Sequence, residues 1–475
     1  MENKQNAAIE LSPQEKMLAT KGIPRLVLSY SIPTVVGMLV HALYVIIDRF
    51  FVAQIPDVGA DALTGIGLAA PIINILAAFS NLVGAGAAAC ISMRLGNRDK
   101  DGAEKVLGNA FTIVMLFAVM LSVFGIIFLR PILIAVGATP ATLPFALEYT
   151  RILLAGCLIL FLSFSMNHPI RAMGNPKRFA SALLIGSAAN LILSPIFIMW
   201  LGMGITGAAI STVLAQSVSA AWVMSYYFTN ISGRAIITIK LKNMMPNLKI
   251  MAAIFAIGVS PFLMQLLSSV ITIVANRTLI FYGNLEFGNG DHAVGAFTVI
   301  LSVSMLFVMP VFGIGQGAQP IIGFNYGAGN MSRVKQAFKY SVLYSTICCI
   351  FGFAVVQIFA PQLMGLFSDE PMINYIGAMG MRIMLFTMPL IGFQMISANF
   401  FQSIGRAKVS VFLVILRQGL ILIPAYLILP PLFGFAGIWF AMPLADALAL
   451  FVTIAMIVRE FRRLDAACRP IVNQN

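Results

Sequence analysis

Charge is scarce in this sequence: only 10% of its 475 residues are Asp, Glu, Lys or Arg, 60% are hydrophobic, and the mean hydropathy is +0.93. Soluble domains carry about 25% charged residues, so folding alone cannot hide this much apolar surface from water. Histidine is rarer still, with three residues. The five cysteines, Cys90, Cys157, Cys348, Cys349 and Cys468, are odd in number, lie mostly in apolar runs and lack metal-ligand spacing. A disulfide framework and a metal centre are therefore not expected. Neither a phosphate-binding loop nor a Ser/His/Asp or Cys/His order is present, so no ATP hydrolysis, covalent catalysis or cofactor is expected, and the chain reads as a non-enzyme. Strict alternation of polar and apolar residues is also missing, which excludes a membrane β-barrel. The first 25 residues are polar and lack the apolar core and cleavage site of a signal peptide, so the first apolar segment is expected to stay as an uncleaved anchor.

What is abundant is apolar run length. Stretches of roughly 20 residues, enough for a helix to cross about 30 Å of hydrocarbon, recur from Leu26 to Val458. The sequence predicts an all-α polytopic membrane protein of about twelve helices near 26–51, 62–91, 106–128, 149–169, 179–201, 206–228, 248–282, 293–324, 338–359, 374–404, 407–429 and 435–458. The formal net charge is +13, but 24 of the 30 Lys and Arg fall in alternate connections: the N-terminal tail, then around 94–105, 171–178, 234–249, 333–339, 406–408 and 459–469. By the positive-inside rule those connections and both termini are cytoplasmic, and the basic charge is a topology signal with no bearing on nucleic acid. The expected location is a bacterial inner membrane.

The second half repeats the first. Pro33, Asp48 and Arg49 align with Pro261, Asn276 and Arg277 at a shift of 228; Gly84, Gly86 and Gly96 meet Gly315, Gly317 and Gly327 at 231; Met166 and Pro195 meet Met395 and Pro424 at 229; Gly174 and Lys177 meet Gly405 and Lys408 at 231. Each half holds six helices, an even number, so the halves share orientation and are expected to be related by a pseudo-two-fold axis along the membrane normal. The domain reading is an N-terminal tail at 1–25, six-helix lobes at 26–229 and 250–458, a basic cytoplasmic linker at 230–249, and a C-terminal tail at 459–475. Two like-oriented lobes imply a central cleft that can open to either side.

The connection after the second helix, residues 94–105 (RLGNRDKDGAEK), lacks the Asp-Arg pair and closing Gly-Arg-Arg of the major facilitator loop, which shares the 6+6 plan. It resembles instead the multidrug and toxic compound extrusion (MATE) family. Residues 47–52 (IDRFFV), 189–198 (ANLILSPIFI) and 207–212 (GAAIST) agree with that family; the Asp48-Arg49 pair, Arg417-Gln418 and the 283–290 connection are similar to its MepA-like branch. The resemblance covers about residues 20–460. It implies a cation-coupling site in the N-terminal lobe formed by Asp48, Asn190 and Thr212, with Ser194 standing where the family carries a second Asp. Loss of that carboxylate weakens the case for tight sodium binding and removes the close acid pair that raises a pKa, so H⁺ and Na⁺ both stay open as coupling ions.

Charges inside a bilayer cost roughly 2.5–3.5 kcal/mol each at a helix centre, so each asks for a reason. Asp48 could carry the coupling cation or pair with Arg49. Asn190, Ser194 and Thr212 could line a cation site or only bond helices together. Asp446, near the middle of the last helix, could receive a cationic substrate or pair with Arg417. Arg382 is expected to snorkel, and His168 and His292 to lie near loops. Met166, Met264, Met305, Met395 and Phe400 are candidates for the cleft wall, since thioethers and aromatic faces accommodate varied flat cations. His41, two turns before Asp48, could join a proton path or simply pack.

The leading expectation is an antiporter that exports amphipathic, often cationic organic compounds against H⁺ or Na⁺ by alternating access, acting as a monomer among membrane lipids. Twelve helices, and acids with no row of basic residues facing the cleft, favour this over a flippase or exporter of a lipid-linked or polar metabolite. A receptor or scaffold would leave the repeat and the buried Asp unexplained.

Overall fold

The structure is a computed structural model that describes residues 13–53, 55, 59–136, 138–140, 142–228, 235–368 and 370–467, without the side chains of 45, 46, 49, 50, 53 and 59–63. Among the described residues all regular structure is helical, as hydrocarbon demands where every backbone N–H and C=O must find an internal partner. A short α1 (Pro13–Thr20) leads into α2 (Ile23–Ala53), α3 (Gly59–Gly96) and α4 (Lys100–Ile127). Then come α5 (Leu129–Val136), α6 (Leu143–Ala155), α7 (Cys157–Phe164), α8 (Asn167–Ala172), α9 (Pro176–Pro195) and α10 (Gly204–Phe228). The second half runs through α11 (Leu248–Phe287), α12 (Gly290–Gly327), α13 (Met331–Gly365), α14 (Pro371–Met384), α15 (Met388–Ser403), α16 (Ala407–Val414), α17 (Ile423–Phe433) and α18 (Ala436–Ala467).

Ten of these helical stretches are long and apolar enough to span a membrane, and two bent pairs bring the number up to twelve. The bent pairs are where the sequence predicts single straight helices at 149–169 and 374–404. The first turns by 60° between α6 and α7, at Gly156; the second turns by 55° between α14 and α15, where Pro389 has no N–H to continue the ladder. Wide i→i+5 turns interrupt two more spans, at Ile196–Trp200 directly after Pro195 and at Ile415–Leu422 just before Pro424. Large apolar side chains such as Phe124, Ile127, Phe351 and Phe451 stay exposed on the outside, which suits lipid and not water.

The repeat shows in the caps. Asp99 and Asn330, equivalent at a shift of 231, start α4 and α13 with the same backbone angles (φ −89°, ψ 75°), each accepting a backbone N–H of the first turn. The linker is tied to the first lobe: Asn109 Nδ2 and Thr112 Oγ1 donate to the carbonyls of Asn243 and Met244 at 3.3 and 2.6 Å, and Lys240 pairs with Glu104 at 2.6 Å. Asn230–Arg234 of that linker lie outside the described residues.

The lobes meet along two matched seams, α3 against α11 and α2 against α12. Here glycine is required by contact: a Cβ on Gly86 would overlap the Ile254 carbonyl and one on Gly258 that of Leu82, while across the pseudo-axis Gly317 lies against Ser31 and Gly313 against Val35. Larger side chains would force the helices apart. Both seams lie toward the end that carries α1, the last turns of α18 and the described Lys and Arg clusters. There Arg333 donates to the carbonyls of Leu18 and Lys21 at 3.0 and 2.8 Å, Lys335 pairs with Asp465, and Arg406 with Glu460 at 3.3 Å. Among the described residues the cross-lobe hydrogen bond farthest from that basic end is Gln265 Nε2 to Asn74 Oδ1, at 3.3 Å.

Candidate functional site

Two polar regions stand out, one inside the first lobe and one between the lobes. The first gathers around Ser194, one turn past Asn190 on α9. Ser194 Oγ lies 2.6 Å from Asp48 Oδ1, 3.1 Å from Asn190 Oδ1 and 3.1 Å from Ser211 Oγ. Asn190 Nδ2 donates to Thr212 Oγ1 at 3.3 Å, which fixes the amide so that its oxygen faces Ser194. Asp48, Asn190, Ser194 and Thr212, four residues from three helices, are therefore brought together, and all but the half-buried Thr212 are buried. Ser211, which sequence reading missed, completes the cluster.

Counting protons shows what this cluster can do. Ser194 has one O–H to offer to two acceptors, Asp48 Oδ1 and Asn190 Oδ1, while the hydroxyls of Ser211 and Thr212 already donate to the Ala208 carbonyl, each at 2.9 Å. Ser194 thus offers one proton to two side-chain oxygens. A proton on Asp48 or a small cation held here would be shared by oxygens from three helices. The Arg49 side chain, the alternative partner of Asp48, lies outside the described residues.

The polarity continues along the lobe. Tyr44, one turn before Asp48, lies close to Gln216; Ser163 Oγ contacts Gln216 Oε1 at 2.8 Å and Ser219 Oγ at 2.9 Å. His41 packs edge-on against Tyr44 and Phe164, with ring centroids 4.8 and 5.8 Å away. Tyr44 thus stands between His41 and Asp48 on α2. Its 4-residue spacing from Asp48 was the one sequence signal for it.

The second region is a cavity of about 510 Å³ between the seams, extending into the second lobe, a volume suited to a drug-sized molecule. Met264, Met305 and Met395 line it; Met166 and Phe400 do not. Met166 is fully buried in the first lobe, its carbonyl accepting from Tyr227 at 2.6 Å, and Phe400 packs against Phe338, Phe401 and Phe461. These two residues point into helix contacts because the bends before α7 and α15 rotate the helix faces, which a straight-helix reading cannot anticipate.

Asp446 does not present a bare carboxylate to the cavity. Arg417 Nε donates to its Oδ1 at 2.7 Å and Thr387 Oγ1 to its Oδ2 at 2.9 Å, while Gln394 Nε2 caps its carbonyl at 2.6 Å; Asp446 is 0% exposed. Arg417, on the wide turns, lines the cavity instead. Arg171 and His168, read from sequence as loop residues at the basic surface, are also cavity residues. Arg171 is 1% exposed and crosses the lobe boundary, donating to Gln316 Oε1 and, at 2.8 Å, to Gln319 Oε1, with the Phe179 ring 4.7 Å away. The short α8 carries them inward after the bend.

Two like-oriented, six-helix lobes with an interlobe cavity define a polytopic membrane protein of the transporter class. The MatE family model matches residues 33–196 and 259–427, once in each lobe, and the chain belongs to that family. The Multidrug export protein MepA of Staphylococcus haemolyticus (strain JCSC1435) is 24% identical over 435 residues, 92% of this chain and 93% of that protein. Its counterpart in Staphylococcus aureus (strain N315) is 26% identical over 432 residues, 90% of this chain and 92% of that one. A solved structure described as the outward-facing conformation of a multidrug resistance MATE family transporter of the MOP superfamily matches with a TM-score of 0.88 at 26% identity, covering 96% of this chain and 100% of that one. Another, a MOP superfamily transporter from Pyrococcus furiosus with a binding pocket of reverse polarity, matches at 0.88 and 26%, covering 96% and 99%.

Proposed function

We propose that this protein is a secondary antiporter that exports amphipathic organic compounds in exchange for H⁺ or Na⁺, its lobes rocking to expose the interlobe cavity to one side and then the other. The observation that carries the coupling is the cluster of side-chain oxygens that Asp48, Asn190, Ser194, Ser211 and Thr212 bring together from three helices, enclosed in the first lobe and apart from the cavity. The seams that close one end of the cavity fit a two-state design, since they can part as units about glycine contacts. Each chain holds both lobes and the whole cavity, so it works as a monomer, surrounded by lipid. Its relatives' name, multidrug export protein, supports the direction of transport. The substrate is moved unaltered.

Uptake into proteoliposomes under a proton gradient or a sodium gradient, imposed separately, is the direct test. Substrate is expected to accumulate under one of them and not when both are collapsed. Accumulation that ignores both gradients would sink the antiport reading.

The basic end, with both termini and the linker, is proposed to face the cytoplasm of a bacterial inner membrane. A cysteine introduced at Gly288, at the opposite end, is then expected to react with an impermeant thiol reagent in intact cells, and one at Asn243 to be protected. The reverse pattern would invert the topology.

The charge lining the cavity also bears on the second reading, a polar-metabolite exporter of the same superfamily. The expectation of acids facing the cleft is not met among the described residues, whose charged lining members are Arg171 and Arg417.

A further inference from the structure

We infer that the interlobe cavity selects organic anions, compounds with an apolar body and a carboxylate or similar oxyanion, and disfavours the organic cations expected of a multidrug exporter. This deepens the export reading above and rests on it. Among the described residues the lining holds two arginines and no Asp or Glu. One of the arginines is offset by a carboxylate behind it: Asp446 binds Arg417 through Nε, and among the described residues the two terminal nitrogens of Arg417 have no protein partner. They are the donors left for a ligand. Among the described residues no acid forms an ion pair with Arg171. Its hydrogen-bond partners are neutral: the amide oxygens of Gln316 and Gln319, and His168 Nδ1 at 3.4 Å. A guanidinium can only donate, so that ring nitrogen accepts and the histidine beside Arg171 is neutral.

The cavity therefore carries about one uncompensated positive charge in a low-dielectric setting, and a cation entering it meets repulsion with no counterion. Other polar liners reinforce the reading. Asn399 and Gln402 sit at the repeat positions of His168 and Arg171, at a shift of 231, and with Asn81 and Gln265 they offer neutral N–H donors to an oxyanion. Met264, Met305 and Met395 supply the apolar wall for the ligand's body. A planar, bidentate donor such as Arg suits a carboxylate better than any neutral solute.

The test compares three dansyl compounds that differ in their end group: dansylglycine with a carboxylate, its carboxamide, and a trimethylammonium analogue. Equilibrium binding is measured by fluorescence on the purified full-length chain in nanodiscs, and gradient-driven transport separately in proteoliposomes. Dansylglycine is expected to bind about tenfold to a hundredfold tighter than the trimethylammonium compound, the size of one charge-assisted hydrogen bond. Arg171→Gln should weaken dansylglycine about tenfold more than the carboxamide. Because that variant also touches the lobe contact, Asn399→Asp serves as a second: it adds a carboxylate to the lining without changing its shape, and should shift preference toward the trimethylammonium compound. Equal binding of all three, a preference for the cation, or no binding of any overturns the inference. Transport with no preference for the anion leaves the exporter reading standing and removes this one; anion-selective binding without transport under either gradient does the opposite.

Discussion

Asp48→Asn is expected to abolish accumulation of substrate against its gradient while leaving the protein folded and able to let substrate run downhill. Asparagine keeps the shape of the side chain and still accepts a hydrogen bond from Ser194, which lies 2.6 Å from Asp48 Oδ1. It fixes the group neutral, however, and so removes the difference between the cation-loaded and unloaded cluster that biases the lobes. The stakes are large. One charge moved through 100 mV supplies about 2.3 kcal/mol and one pH unit about 1.4 kcal/mol. Together they sustain an accumulation on the order of several hundredfold, which should fall to about unity. The measurement is the steady-state ratio in proteoliposomes, with counterflow exchange as the control for folding. If Asp48→Asn accumulated substrate as wild type does, the oxygen cluster would be a structural bond between α2, α9 and α10 and no more.

Asp446→Ala should be among the most destabilising substitutions in the second lobe. The carboxylate holds together three elements that bends keep apart: Arg417 on the wide turns, Thr387 at the joint of α14 and α15, and α18 itself. Removing it leaves Arg417 with no counterion, a loss of about 3–5 kcal/mol for a buried pair broken on one side. Arg417 is not fully enclosed, its side chain being 17% exposed, so the lower part of that range is expected. The readout is the thermal transition and monodisperse yield of purified protein. Replacing both partners, Arg417→Met with Asp446→Leu, should recover most of the loss, because two buried charges exchanged for apolar side chains are often neutral in stability. A single Asp446→Ala protein as stable as wild type would remove the structural role and return Asp446 to the substrate.

The two carboxylates make a pair in the fold's own logic. Asp446 and Gln216 are repeat equivalents at a shift of 230, and each is bonded within its own lobe: Gln394 to the backbone of Asp446, Ser163 to the side chain of Gln216. One lobe has its acid at Asp48, in an oxygen cluster with Ser194 and Asn190; the other has it at Asp446, held by Arg417. The same scaffold thus carries two differently used polar centres.

The amino-acid sequence by itself determined the membrane class, the six-plus-six repeat and the approximate positions of the spans, while the grouping of Asp48, Asn190, Ser194 and Thr212 came from the resemblance to the MATE family. Run length and periodic identity at a nearly constant shift are local in the chain, as is the i,i+4 spacing that puts Asn190 and Ser194 on one helix face; the approach of Asp48 and Thr212 from other helices is not. Only the tertiary structure decided which way the other polar side chains face. Breaks at Gly156 and before Pro389 turn α8 and α15 away from a straight path, carrying Arg171 and His168 from an expected loop into the cavity and Met166 and Phe400 out of it. Asp446 meets Arg417 across 29 residues of chain, and whether such a pair closes depends on how two helices rotate against each other. Helix rotation is set by packing across the whole lobe, so the charge of the cavity is a property of the assembled fold and of no single segment.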